Sequence, residues 1–216
     1  MIREFGIPDA IYLILATRWT ILLFLIAAVG GSILGIILVL MQLSSNKPLQ
    51  WFARAYTRVV QGTPLLIQLF LVFFLPSVWG ARPDALMAAS IALSVNASAF
   101  LGETWRGCVA AIPKGQWEAS AAVGLKWIQT LRLVIFPQAI RIAIPPTVGF
   151  LVQMIKATAL ASIIGFVDLT RAGQLLTNAT AQPAIIYLIV TFIYFCLCWP
   201  VSVLSRRLEL RMARQP

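Results

Sequence analysis

The sequence has no histidine and only seven acidic residues among its 216: Glu4, Asp9, Asp84, Glu103, Glu118, Asp168 and Glu209. Acid–base catalysis near neutral pH is left with almost no group that titrates there. The three cysteines, Cys108, Cys196 and Cys198, are odd in number and set in apolar runs, which excludes a disulfide scaffold. No Cys/His spacing suits zinc. No Gly-rich loop ending in Lys-Ser/Thr is present, so ATP is not bound by that route. Charged residues make up 11% of the chain, against roughly 25% in an ordinary soluble domain. Disorder, which needs many charges and little hydrophobicity, is excluded with it.

What the chain has instead is apolar surface. Hydrophobic residues make up 60% of it, and the mean hydropathy is +0.89. A soluble fold of this size cannot hide so much apolar area. The composition points to an all-α membrane protein. A bilayer core takes about 20 apolar residues per helix, and five segments qualify: 19–42, 63–79, 85–105, one within 144–167, and 185–204. The first is too long for a signal peptide and is read as a retained helix. No second domain, linker or repeat is evident, so 1–216 is expected to be a single transmembrane domain.

Five spans place the termini on opposite faces, and positive charge decides which is which. Twelve cations fall on one face: Lys47, Arg54 and Arg58; Arg106, Lys114, Lys126, Arg132 and Arg141; and Arg206, Arg207, Arg211 and Arg214. Arg3, Arg18, Arg82 and Arg171 fall on the other, and Lys156 lies within a span. The richer face is expected to be cytoplasmic, with the N-terminus outside and the C-terminus inside. The same distribution explains the net charge of +10 without nucleic acid, because the cations flank apolar spans and form no stripe. The aromatic residues Trp19, Trp51, Trp79, Trp105, Trp127 and Trp199 fall mostly near span ends, as interfacial belts require.

The longest polar stretch is the loop at about 107–142, where function is to be sought in so apolar a chain. It contains Pro113-Lys114-Gly115-Gln116-Trp117-Glu118-Ala119-Ser120-Ala121-Ala122-Val123-Gly124. Pro113 and Gly115 break what precedes. A short helix over 116–123 is expected, with Glu118 in its first turn and Gly124 as its C-terminal cap. Composition alone allows a mere connector. Spacing adds more: Glu118-Ala119-Ser120, three residues, Gly124, nine residues, then Val134 and Phe136-Pro137.

That pattern resembles the EAA loop of ATP-binding-cassette importer permeases, which runs Glu-Ala-Ala, three residues, Gly, nine residues, Ile, any residue, Leu, Pro. Ser120, Val134 and Phe136 are mild departures. Gly62-Thr63-Pro64-Leu65-Leu66-Ile67-Gln68 and Pro137-Gln138-Ala139-Ile140-Arg141 resemble the polar amino acid subfamily. Thr63 is expected to cap the second span, with Pro64 at its first position. The resemblance implies a type I importer permease fold in the bacterial plasma (inner) membrane. It implies two cytoplasmic ATP-binding subunits, a second permease chain (identical or paralogous), an extracytoplasmic solute-binding protein and a polar amino acid as cargo. ATP and magnesium would be bound by the partner ATPase, with no cofactor in this chain. Gly115, Glu118, Ala119, Ser120 and Gly124 are the residues it assigns to coupling.

Ionisable or polar groups inside spans are expensive and default to functional candidates. Lys156 lies in the fourth span, with Gln153 on the same face at helical spacing. Members of the resembled family commonly carry Lys-Asp-Thr-Ser-Leu there, near the transport path; this chain has Lys156-Ala157-Thr158-Ala159-Leu160. The acid that could hold a cationic amino acid is missing, so the chain is either the degenerate partner in a heterodimer or part of a system for a neutral or acidic amino acid. Lys156 itself either touches cargo or pairs with a partner chain or backbone carbonyls. Gln68, Asn96 and Glu103 complete the candidate path with Gln153, Lys156 and Thr158. Arg106, three residues after Glu103, offers a local ion pair instead. Gly31 and Gly35 form a small-xxx-small pair for close helix packing. Pro145-Pro146 is expected to interrupt the start of the fourth span.

Two other classes compete with the importer subunit. A secondary transporter usually shows internal repeats and enough spans to enclose a site in one chain. A scaffold that carries nothing has no need of polar groups inside its spans.

Overall fold

The computed structural model describes residues 4–212, with only the backbone at Arg211. Arg3 and Arg214, counted above in the charge distribution, lie outside the described residues, as does the Arg211 side chain. Every regular element among the described residues is helical. In chain order they are α1 (Ile7–Leu43), α2 (Lys47–Gln61), α3 (Leu65–Phe74), α4 (Ala85–Ala110), α5 (Lys114–Ala122), α6 (Trp127–Thr130), α7 (Phe136–Ala157), α8 (Leu169–Thr180) and α9 (Pro183–Met212). Short 3₁₀ segments extend α3 over Leu75–Trp79 and α7 over Thr158–Ile164.

Four helical segments are long and apolar enough to cross a bilayer: Ile7–Leu43, Ala85–Ala110, Trp127–Ile164 and Pro183–Leu210. The second expected span, 63–79, is not a straight helix. Its α-helical part has 10 residues and its 3₁₀ part 5, which together rise about 25 Å against a hydrocarbon core of about 30 Å. It meets α2 at a bend of 102°, so that α2 and α3 make a fifth crossing only as one broken pair.

The bend has a local cause. Pro64 lacks an N–H, so the Val60 carbonyl four residues back loses its helical donor. Gln68 Nε2 takes that role at 2.7 Å and also reaches the Thr63 carbonyl at 3.0 Å and Thr63 Oγ1 at 2.9 Å. Pro64 itself is extended (φ −61°, ψ 135°) and is the N-cap of α3. Thr63 therefore does not cap the span as expected. Its hydroxyl donates backward to the Val59 and Val60 carbonyls and closes α2.

The first span starts at Ile7 rather than residue 19, because Asp9 accepts from the Gly6 N–H at 3.0 Å and Pro8 favours the first turn. Asp9, Leu13, Ala16, Thr20, Leu23, Ala27, Gly31, Gly35, Leu38 and Gln42 form one buried stripe along α1, at the three-and-four spacing of a packed helix face. The stripe packs most extensively on α4. At Gly31 an added Cβ would lie 2.4 Å from the Ala97 Cβ, and at Gly30 it would lie 2.6 Å from Ser94 Oγ. The small pair thus lets two backbones approach, as membrane helices do when apolar burial cannot drive association.

Pro145 and Pro146 do not interrupt the fourth span. The helix α7 runs through both. Neighbouring helices hold this stretch in place: Ser205 Oγ of α9 donates to the Pro145 carbonyl at 3.2 Å, and Trp105 Nε1 of α4 donates to Thr147 Oγ1 at 2.8 Å. One π-type turn, Leu131–Ile135, precedes α7 and passes the Phe136 N–H to the Leu131 carbonyl.

Candidate functional site

The loop between α4 and α7 is anchored at one point and open elsewhere. Val109, Ile112, Leu131, Ile135 and Ala139 form a small core at this end, and Trp117 of α5 packs onto it. The rest of α5 faces outward. Lys114, Gly115, Gln116, Glu118, Ala119, Ala121 and Ala122 are exposed. Ser120 is the exception; it is buried, and its hydroxyl donates to the Gln116 carbonyl at 2.6 Å.

The helix starts two residues earlier than expected. Pro113 is extended (φ −54°, ψ 139°) and serves as N-cap, so Gly115 lies within α5 and Glu118 falls in its second turn. The C-terminal reading holds. Gly124 has φ +77°, its N–H donates to the Ala121 carbonyl, and the Leu125 N–H donates to the Ser120 carbonyl. These are the two bonds of a Schellman closure, which places a left-handed residue after the helix. A Cβ at Gly115 or Gly124 would meet nothing within 4 Å. At these two positions, therefore, no neighbour among the described residues requires a glycine for lack of space.

The in-span polar residues do not form one cluster. Asn96 Nδ2 donates to Gln68 Oε1 at 3.2 Å, which ties α4 to the α2–α3 corner. Asn96 and Gln153 line a cavity of about 200 Å³, with Phe100 and Phe150 beside them, stacked at 5.7 Å between ring centres. Gln153 and Lys156 are both exposed on α7, whereas Thr158 is fully buried with its hydroxyl on the Ile155 carbonyl. Glu103 lies apart, toward the α5 end. It holds Arg106 through both carboxylate oxygens, the local pair that the spacing offered.

One buried group was not singled out from the sequence. Asp168 has no exposed surface. It caps α8 by accepting from the Arg171 N–H at 2.9 Å and accepts the Tyr194 hydroxyl of α9 at 3.3 Å. Thr20 of α1 accepts the adjacent Leu169 N–H at 3.1 Å. Burial pushes the Asp168 carboxyl up, against the pull of the Arg171 N–H and its other hydrogen bonds. The available signal was an Asp immediately before an amphipathic run, the signature of a helix N-cap.

Known proteins resemble the chain along nearly its whole length. The family described as "Binding-protein-dependent transport system inner membrane component" matches residues 27–214. The chain is 36% identical to the L-cystine transport system permease protein TcyB of Bacillus subtilis (strain 168), over 91% of this chain and 84% of that one. It is 32% identical to the arginine transport system permease protein ArtQ of the same organism, over 95% and 94%. A crystal structure of an amino acid ABC transporter with histidines matches at TM-score 0.88 and 34% identity, over 93% and 94%. The MetNI methionine ABC transporter in an inward-facing form shares the fold at TM-score 0.71 and 17% identity, over 94% and 99%. An apolar helical bundle with an exposed, small-residue helix at one end is thus the architecture of a known transporter component: this chain belongs to the binding-protein-dependent transport system inner membrane components, as the permease of an ATP-binding-cassette importer whose ATP hydrolysis resides in a separate subunit.

Proposed function

We propose that this permease imports a polar amino acid and that α5 is its coupling helix. The observation that carries the reading is the exposed face of α5. Gly115, Glu118 and Ala119 present an exposed surface with no bulky side chain at Gly115 or Ala119 and open space around Gly115 among the described residues, and Gly124 ends it in a left-handed turn. A second protein with a cleft can approach such a helix closely. In this reading Ser120 keeps its hydroxyl on the helix backbone, and Trp117 transmits motion of α5 to the core at the ends of α4 and α7. Closure of a pair of ATP-binding subunits, which hold ATP and magnesium, would rock that core. The α5 end then faces the cytoplasm, with the N-terminus outside and the C-terminus inside. Within the α2–α3 pair, α3 with its 3₁₀ extension makes the fifth crossing.

The cargo class rests on the relatives, which are named for cystine and arginine transport, and on the amino acid transporter of known structure. Asn96 and Gln153 offer amide donors and acceptors beside one cavity, a set suited to a zwitterion, and Gln68 stands behind them, holding Asn96 in place. Lys156 and Gln153 stand on an exposed face of α7 that a second permease chain, identical or paralogous, would cover. With Ala157 in place of an acid, the path favours a neutral or acidic amino acid over a cationic one. Glu103 is bound to Arg106, and Thr158 to its own backbone, so both sit behind the path rather than in it. A solute-binding protein would deliver the cargo at the opposite face.

Uptake into proteoliposomes holding the permease, its ATP-binding subunit and its solute-binding protein tests this directly. Uptake of one neutral or acidic amino acid is expected with ATP, and none without it. ATP-independent uptake driven by an ion gradient would move the protein to the secondary-transporter class. No uptake under either condition would favour the scaffold.

A further inference from the structure

The helix α2 is strongly amphipathic, and it sits at the same end of the molecule as α5. At 100° per residue, Lys47, Arg54 and Arg58 fall within one narrow row. Ala53, Thr57 and Val60 face the core and are buried. The third face is apolar yet open: Phe52 is 56% exposed and Val59 65%, with Trp51, 73% exposed, at the border of the cationic row. Three faces of this kind suit a helix lying in a membrane interface, with its apolar side in the acyl region and its cations at headgroup level. The 102° bend to α3 agrees with that placement, since a helix at right angles to a crossing segment lies along the surface.

The cationic row borders a cavity. Arg54, Arg58, Arg106 and Lys114 line an open space of about 660 Å³, and the single acid there is Glu103. Glu103 is already held by Arg106. Among the described residues Arg54 bonds only the uncharged Gln50 side chain. Arg58 and Lys114 have no ion-pair partner among the described residues. Leu43, Val109 and Ile112 supply an apolar margin on the inner side. The cavity therefore carries uncompensated positive charge between an interfacial helix and the base of the coupling helix.

We propose that this cavity holds the phosphate headgroup of an anionic phospholipid from the bilayer leaflet at the α5 end, gripped by Arg54 and Arg58 of α2 and Lys114 of α5. The lipid would bridge α2 to α5 and so couple the mobility of the coupling helix to the anionic content of the membrane. This goes beyond the transport reading and holds whichever amino acid is carried.

The test uses the permease copurified with its ATP-binding subunit, in nanodiscs of phosphatidylcholine with and without phosphatidylglycerol. Native mass spectrometry counts the lipid retained after detergent exchange. Phosphatidylglycerol is expected to be retained over phosphatidylcholine. Arg54→Gln with Arg58→Gln should weaken that retention about five-fold for each cation removed. The double Lys replacement at the same positions should keep most of it. Lys114→Gln, at an exposed position, gives an independent variant should the arginine variants fail to fold, and the same direction of loss is expected. Equal retention of the two lipids, or unchanged retention in both charge-removing variants, would overturn the proposal. So would full displacement of the lipid by millimolar inorganic phosphate, which would make the cavity a site for a soluble anion. Loss of the ATP-binding subunit with lipid retention unchanged would assign the surface to that protein instead.

Discussion

The seam between α1 and α4 and the helix α5 are both built from small residues, for opposite reasons. On the seam, Gly31 and Gly35 are small because another backbone of the same chain is already there. An added Cβ at Gly31 would fall 2.4 Å from Ala97. On α5, Gly115 and Ala119 are small although the space around them is open. Smallness in the seam serves the fold; on α5 it meets open space, which the proposed docking of a second protein would use. Identical residue types thus stand against packed neighbours in one place and open surroundings in the other, and only those surroundings tell them apart.

Substitutions can break this contrast. The largest effect on stability is expected at Gly31→Leu, which has no room in the seam and should cost about 3 kcal/mol. The purified permease should show a clearly lowered melting temperature; an unchanged one would mean that α1 and α4 are not packed as described.

The next effect concerns the buried cap at the other end of the molecule. Asp168→Asn keeps an acceptor for the Arg171 N–H and cannot ionise. The wild-type carboxyl is raised above its ordinary value of 3.8 by burial, so its charged form is costlier folded than unfolded. That cost is absent below 3.8 and fully present once pH has passed the raised folded value. Thermal unfolding across the range from mildly acidic to neutral pH should therefore show the wild type losing stability relative to Asp168→Asn as pH rises. Parallel curves would show that the Asp168 carboxyl titrates alike in the folded and unfolded protein and is not raised by burial.

Smaller still is Gly124→Ala. No atom blocks the new methyl, and the expected cost is the strain of a left-handed alanine, about 1 kcal/mol. Transport should fall further than this stability loss accounts for, because the end of α5 would be misplaced.

At the bottom of the stability scale is Ala119→Arg, an exposed change expected to alter stability by under about 0.5 kcal/mol. Yet it should abolish copurification of the ATP-binding subunit and ATP-driven uptake. Retention of both would remove α5 from the coupling role and leave the contrast with the seam without its second half.

Several features were legible in the residues. The long apolar runs located α1, α4 and α9, because a helix satisfies its own backbone and hydropathy alone then marks it. Gly124 was readable as a left-handed cap, since the local sequence decides such a turn. Gly31 and Gly35 were readable as a contact face from their spacing. Other features were not. Pro64 marked a boundary but not a 102° bend, which depends on Gln68 reaching back to the carbonyl that Pro64 leaves without a donor. Pro145 and Pro146 suggested an interruption that contacts with α4 and α9 remove. Asp168 was one acid among seven until the fold carried the Tyr194 hydroxyl to it from 26 residues downstream.

By itself, then, the sequence determined that this chain lives in a membrane, roughly where its long apolar helices lie, and that one polar loop has the residue spacing of an importer family's motif. These follow from solvent transfer, helical periodicity and local turn chemistry, none of which needs a distant partner. Only the tertiary structure decided which polar groups meet. It joined Asn96 to Gln68 and set Arg54 and Arg58 across a cavity from Lys114. The physical reason is that hydrogen bonds and charge pairs act over a few ångströms. Which side chains come within that reach depends on how helices far apart in the chain are packed.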